Sequence, residues 1–76
     1  MADPDVHEVF RYGRGDAVRI YRFHVAAEGT QLWRVTRRNG EADQAVMETS
    51  FTRVSEAAAF LEDVTRALTA GGWRRL

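Results

Sequence analysis

Apolar and polar residues alternate through two adjacent stretches of the chain, and that alternation predicts its central elements. Residues 31–38 read Q-L-W-R-V-T-R-R and residues 17–26 read A-V-R-I-Y-R-F-H-V-A. Successive strand side chains point to opposite faces. In the second of these strands Trp33 and Val35 therefore share one side, and Leu32, Arg34, Thr36 and Arg38 the other. In the first, Tyr21, Phe23 and Val25 share a side, opposite Val18, Ile20, Arg22 and His24. Ala27-Glu28-Gly29 between them suits a three-residue hairpin loop with glycine third. Residue 26 then pairs with 30. Phe23 lies opposite Trp33 and Tyr21 opposite Val35 on a core face, while Arg22 lies opposite Arg34 and Val18 opposite Arg38 on an open one.

Outside this hairpin the pattern is shorter. Residues 6–12 mix Val, Phe and Tyr with charge and predict a first strand near a sheet edge. Gly13-Arg14-Gly15-Asp16 is punctuated by two glycines and reads as a turn; its Arg-Gly-Asp tripeptide matches an adhesion signal of extracellular proteins, but turn use is the expectation. Asn39-Gly40 signals another hairpin. A fourth strand follows over residues 44–51. A tight turn aligns Val46 with Trp33; a longer loop through Glu41-Ala42-Asp43 sends Ala45, Met47, Thr49 and Phe51 to the core, and is preferred because it buries Met47 and Phe51. Residues 55–70 predict a helix, with Ser55 as N-cap, Glu56 in the first turn, and an apolar stripe of Ala57, Phe60, Leu61, Val64 and Leu68. Gly71-Gly72 ends it. Trp73 then caps the core or extends as a last short strand. The expected fold is α+β: an antiparallel sheet of three to four strands, β-β-β-β-α, with the C-terminal helix packed on one face. Residues 1–5 form a loose tail and 6–76 a single domain.

Composition narrows the setting. A chain of 76 residues that is 45% hydrophobic and 29% charged suits one small core. It has no cysteine, so disulfide and thiolate-metal frameworks are excluded, and a cytoplasmic setting is favoured. The N-terminal M-A-D-P-D is acidic and unlike a signal peptide, and no apolar run approaches the roughly 18 residues that span a bilayer. The formal net charge is zero, yet residues 9–40 hold seven arginines against Asp16 and Glu28, and residues 41–63 hold six acids against Arg53. Every basic residue is arginine, a composition that fits a biased genome and equally suits bidentate phosphate recognition.

The order Ile20-Tyr21-Arg22-Phe23, Leu32-Trp33-Arg34-Val35-Thr36-Arg37, a glycine-containing loop, Thr49-Ser50-Phe51, Ser55-Glu56-Ala57 and Gly72-Trp73 resembles the WGR domain over roughly residues 17–75. The name-giving tripeptide is absent: Arg37-Arg38-Asn39-Gly40 stands at its position, and Tyr12-Gly13-Arg14 lies too early. The resemblance implies nucleic-acid contact or docking between domains. It carries contact residues over only to Arg37, Arg38 and Gly40.

Little else in the sequence carries chemistry. His7 and His24 lie on different strands with no carboxylate at a telling spacing, no serine sits in a nucleophile elbow, and no glycine-rich loop leads from a strand into a helix. Glu62-Asp63 suits a solvated helix face better than a metal site. No enzyme activity, cofactor or metal is expected. Two binding functions remain. In the first, Arg22, Arg34 and Arg38, with Arg11 or Arg37 nearby, contact nucleic-acid phosphates across the open sheet, with single strands favoured. In the second, Ile20, Leu32 and Val18 among the arginines form a protein-interaction or homodimer surface. No membrane partner is expected.

Overall fold

The computed structural model describes residues 5–76. Strands β1 (Asp5–Arg14), β2 (Ala17–Ala26), β3 (Gly29–Arg38) and β4 (Gln44–Phe51) form an antiparallel meander. Helix α1 (Val54–Ala70) follows, and β5 (Arg74–Arg75) then pairs with β1. The sheet order is β4-β3-β2-β1-β5, so α1 carries the chain from one edge of the sheet to the other. The α+β class and the single C-terminal helix are as expected, but the sheet has five strands instead of three to four. Of the expected tail at 1–5, residues 1–4 lie outside the described residues and Asp5 opens β1, opposite Val25.

The β2–β3 hairpin turns one residue earlier than the spacing of its glycine suggests. Ala26 pairs with Gly29 across a two-residue loop, Ala27-Glu28. Because the side-chain period of a strand is two, that single residue exchanges the faces of β3. Phe23 lies opposite Leu32, Tyr21 opposite Arg34, Ile20 opposite Val35, Arg22 opposite Trp33 and Val18 opposite Arg37. The expected pairs Phe23–Trp33, Tyr21–Val35, Arg22–Arg34 and Val18–Arg38 do not form. Gly29 has φ +146°, and a Cβ placed there would meet the Phe51 carbonyl oxygen at 2.9 Å. The close approach of β4 therefore selects glycine here, at the first residue of a strand and not within the loop. Gly29→Ala is expected to cost about 1–3 kcal/mol, the usual scale for backbone strain, measurable as a fall in the urea midpoint with an unchanged slope.

The first hairpin is simpler. Gly15 has φ +60° at the first central position of the two-residue loop Gly15-Asp16, as a type II′ turn requires. The Arg-Gly-Asp sequence is thus a hairpin tip. Two bulges complicate the outer strands. In β1 the register slips at Val9, and in β4 it slips at Glu48, which is left unpaired between the partners of Leu32 and Trp33 in β3. Each extra residue swaps the faces beyond it. Thr49 and Phe51 accordingly lie on the helix-covered side as expected, but Ala45 and Met47 lie opposite Val35 and Trp33 on the other.

The core lies between the sheet and α1. Tyr12, Ala17, Tyr21, Leu32 and Phe51 from the sheet meet Ala57 and Leu68 of the helix and Trp73 beyond it, with Phe10, Phe23, Phe60, Leu61 and Val64 packed around them. Aromatic edges fill the layer: Phe10 stands edge-on to Tyr12 at 5.3 Å, and Phe51 bridges Phe23 and Phe60 at 6.0 and 6.2 Å. The helix begins one residue before Ser55, with Arg53 as N-cap and no side-chain cap bond. Arg53 leaves β4 in an extended conformation, and its carbonyl accepts from the amides of Glu56 and Ala57. The C-terminus has a full Schellman cap. The amide of Gly72 (φ +84°) donates to the Thr69 carbonyl, and that of Trp73 to Leu68 at 3.0 Å. That cap turns Trp73 into the core and directs Arg74 and Arg75 alongside Gly13 and Tyr12.

Candidate functional site: the uncovered sheet face

Opposite the helix, no element among the described residues covers the other face of the sheet. The register places Val6, Glu8 and Arg11 of β1, Val18, Ile20, Arg22 and His24 of β2, Gln31, Trp33, Val35 and Arg37 of β3, and Ala45 and Met47 of β4 on it. Its centre is apolar and closed to water even without a second layer. Ile20 is 0% and Val35 6% exposed, flanked in the register by Arg11, Arg22 and Arg37, whose hydrocarbon stems lie across a sheet surface in this way. Towards the sheet margins Val6 and Met47 are exposed.

An aromatic pair marks one side of this face. The His24 and Trp33 rings stack at 5.2 Å, with 26° between their planes. The Trp33 indole nitrogen donates to the Gln31 side chain at 3.0 Å, which holds the ring in place over the sheet.

Charges alternate on the other side. Glu8 accepts two bonds from Arg11, at 2.8 and 2.9 Å, and Asp43 pairs with Arg37 at 2.9 Å. Hydrogen bonds from these guanidiniums hold the Glu8 and Asp43 carboxyls below their ordinary pKa, with Arg22 adding a weaker attraction to both. Arg22, opposite Trp33, makes no ion pair among the described residues. The face therefore holds three arginines and two carboxylates, with Arg22 as the charge left over.

The expected arginine set divides between the two faces. Arg11, Arg22 and Arg37 are brought together on the uncovered one. Arg34 and Arg38 are on the helix side, where Arg34 bonds Glu48 at 3.2 Å and Arg38 stands 4.0 Å from Glu41. Of the two apolar contact residues, Ile20 is on the uncovered face but shielded, and Leu32 is wholly within the core. Sequence reasoning missed Trp33, which the one-residue shift moves from the expected core onto the open face, where it stacks on His24, a residue expected on that face but given no role. A two-residue loop ahead of Gly29 is the signal that would have found the stack.

The remaining candidates take structural roles. Arg14 of the hairpin tip donates to the Gly71 carbonyl at 3.0 Å and lies over the Trp73 ring. Asp63 and Glu62 pair with Arg66 on the helix surface. Among the described residues no group of acids and histidines converges as a metal site, and no helix is long and apolar enough to cross a membrane. No family model, curated protein or solved structure matches the chain.

Proposed function

We propose that this chain is a non-enzymatic, cytoplasmic nucleic-acid-binding module that takes single strands on its uncovered sheet face. The observation that carries this is the Trp33–His24 stack lying beside the unpaired Arg22. Single-strand readers combine aromatic faces for base stacking with cations for the backbone, and a sheet presents both on a flat platform. Arg37 and Arg11 flank the same surface, whereas Arg34 and Arg38, on the helix side, take no part in it. The resemblance to WGR domains points the same way.

Fluorescence anisotropy with short DNA and RNA strands, read across a salt series, tests this. Trp33→Ala is expected to weaken binding by about 1–3 kcal/mol, the value of one stacked base. Arg22→Gln is expected to lower the slope of log affinity against log salt by about 0.7, one phosphate contact on a single strand. No binding to any strand at low salt would sink the proposal.

A protein-binding or homodimer function for the same face is supported by a separate observation. The ion pairs Glu8–Arg11 and Asp43–Arg37 surround an apolar centre, and such a face is complementary to a two-fold copy of itself. The double variant Glu8→Gln, Asp43→Asn separates the two readings. It frees two arginines, so nucleic-acid binding is expected to tighten and its salt slope to steepen. A self-associating face is expected instead to lose partners, with a weaker dimer in sedimentation equilibrium.

A further inference from the structure

A second arginine cluster lies on the other side of the sheet, under the C-terminal half of α1. Arg19, Tyr21 and Arg34 line a cavity of about 220 Å³ together with Val64, Ala67, Leu68 and Trp73. The Nε atoms of both Arg19 and Arg34 are buried and have no hydrogen-bond partner among the described residues. Guanidinium groups have five donors and no acceptor, and buried donors are rarely left without one. Two such orphans, on side chains that line one cavity, call for an acceptor that carries several oxygens.

The charges around the cavity point to an anion. Arg14 and Arg19 lie against the Trp73 ring, 4.7 and 4.5 Å from its centre, and Arg34 faces the same space. Among the described residues, the one carboxylate paired with any of these three is Glu48, on Arg34. Arg14 is occupied at the helix C-terminus by the Gly71 carbonyl, leaving Arg19 without an acidic partner among the described residues. Trp73 fixes the Arg19 guanidinium against its ring, and a pre-oriented fork is what bidentate oxoanion recognition uses. Burial pushes the Tyr21 hydroxyl above its ordinary pKa, against the pull of Arg19 and Arg34, so it remains a donor at neutral pH.

We propose that Arg19, Arg34 and Tyr21 form a binding site for a small phosphate-class oxoanion, either inorganic phosphate or a phosphomonoester of similar size. The site is on the opposite face from Trp33 and does not depend on nucleic-acid binding there. A water molecule would satisfy one Nε–H but leave the charge of Arg19 unbalanced. A phosphate supplies both the acceptors and the charge.

The test is a titration of the full chain with inorganic phosphate and, separately, methyl phosphate, following the arginine Nε–Hε signals by NMR at constant ionic strength, with chloride and acetate as controls. Saturable shifts are expected at Arg19 and Arg34 and not at the surface residue Arg66. The stronger response of the two ligands identifies the source of the phosphate group. Arg19→Lys keeps the charge but loses the fork, and is expected to weaken phosphate at least tenfold; Arg34→Lys, read in the same way, covers the case in which the first variant does not fold. Trp33→Ala is expected to leave phosphate affinity unchanged. Shifts spread evenly over all arginines without saturation, or wild-type affinity in a folded lysine variant, would overturn the assignment.

Discussion

Leu32→Ala is expected to remove most of the domain's stability, whereas Trp33→Ala, one residue on, is expected to leave the fold intact. Leu32 is completely buried between β2, β4 and the helix-side core, opposite Phe23 and Thr49. Truncating a buried leucine costs about 2–5 kcal/mol through lost transfer energy and the cavity left behind. A domain of this size has only roughly 4–11 kcal/mol in total. Trp33 is partly buried on the uncovered face, and its loss removes one stack and one side-chain hydrogen bond, on the order of 1 kcal/mol. Urea unfolding of the two variants compares them directly. The reverse order of midpoints would mean that β3 is turned over, with its tryptophan inside.

Trp73→Ala is expected to be as damaging, by a different route. The ring is 5% exposed and occupies the junction of three features. It completes the hydrophobic contact of the Schellman cap with Leu68, it covers the edge of the core, and it offers its faces to Arg14 and Arg19. Removing a buried tryptophan costs about 3–5 kcal/mol. At roughly 4–8 °C per kcal/mol for a chain of this size, the melting temperature is expected to fall by about 15 °C or more. Calorimetry gives that fall, and Trp73→Phe, which keeps a ring over Leu68, is expected to recover part of it.

The helix, its stripe and its glycine stop were legible because a 3.6-residue period repeated over four turns leaves little choice of face. Ala57, Phe60, Leu61, Val64 and Leu68 all lie where that period puts them. The strands were legible as strands, but not their faces. In β3 every residue from Leu32 to Arg37 is acceptable on either side, since Trp33-Val35 and Leu32-Thr36 are both apolar enough to face a core. Pairing therefore rested on the loop, and the loop rested on which role Gly29 plays. Its role is set by the Phe51 carbonyl, an atom from a strand more than twenty residues away, and no local pattern reports that. The bulges at Val9 and Glu48 are equally silent in the sequence, and Glu48 has its role only because Arg34 is turned towards it. Errors of this kind passed directly to the site. The arginines were identified as a cluster, but their division between two faces, and the ring stack beside Arg22, depended on a single residue of register.

The path of the chain also bears on the order in which the molecule assembles. Strands β1 to β4 are consecutive neighbours, so each of their hairpins closes over a loop of two to five residues at small entropic cost. The contact between β5 and β1 joins Arg75 to Tyr12, almost the whole length of the chain apart. It rests on two residue pairs, on the bond from the Leu76 amide to the Arg11 carbonyl, and on Trp73. The meander is thus a unit that can form from local encounters, and the docking of the C-terminal segment is the late, slow-to-find step. Release of that segment would take away the Trp73 wall of the Arg19–Arg34 cavity while β2 and β3 stay paired, so the cavity exists only once the C-terminus is docked.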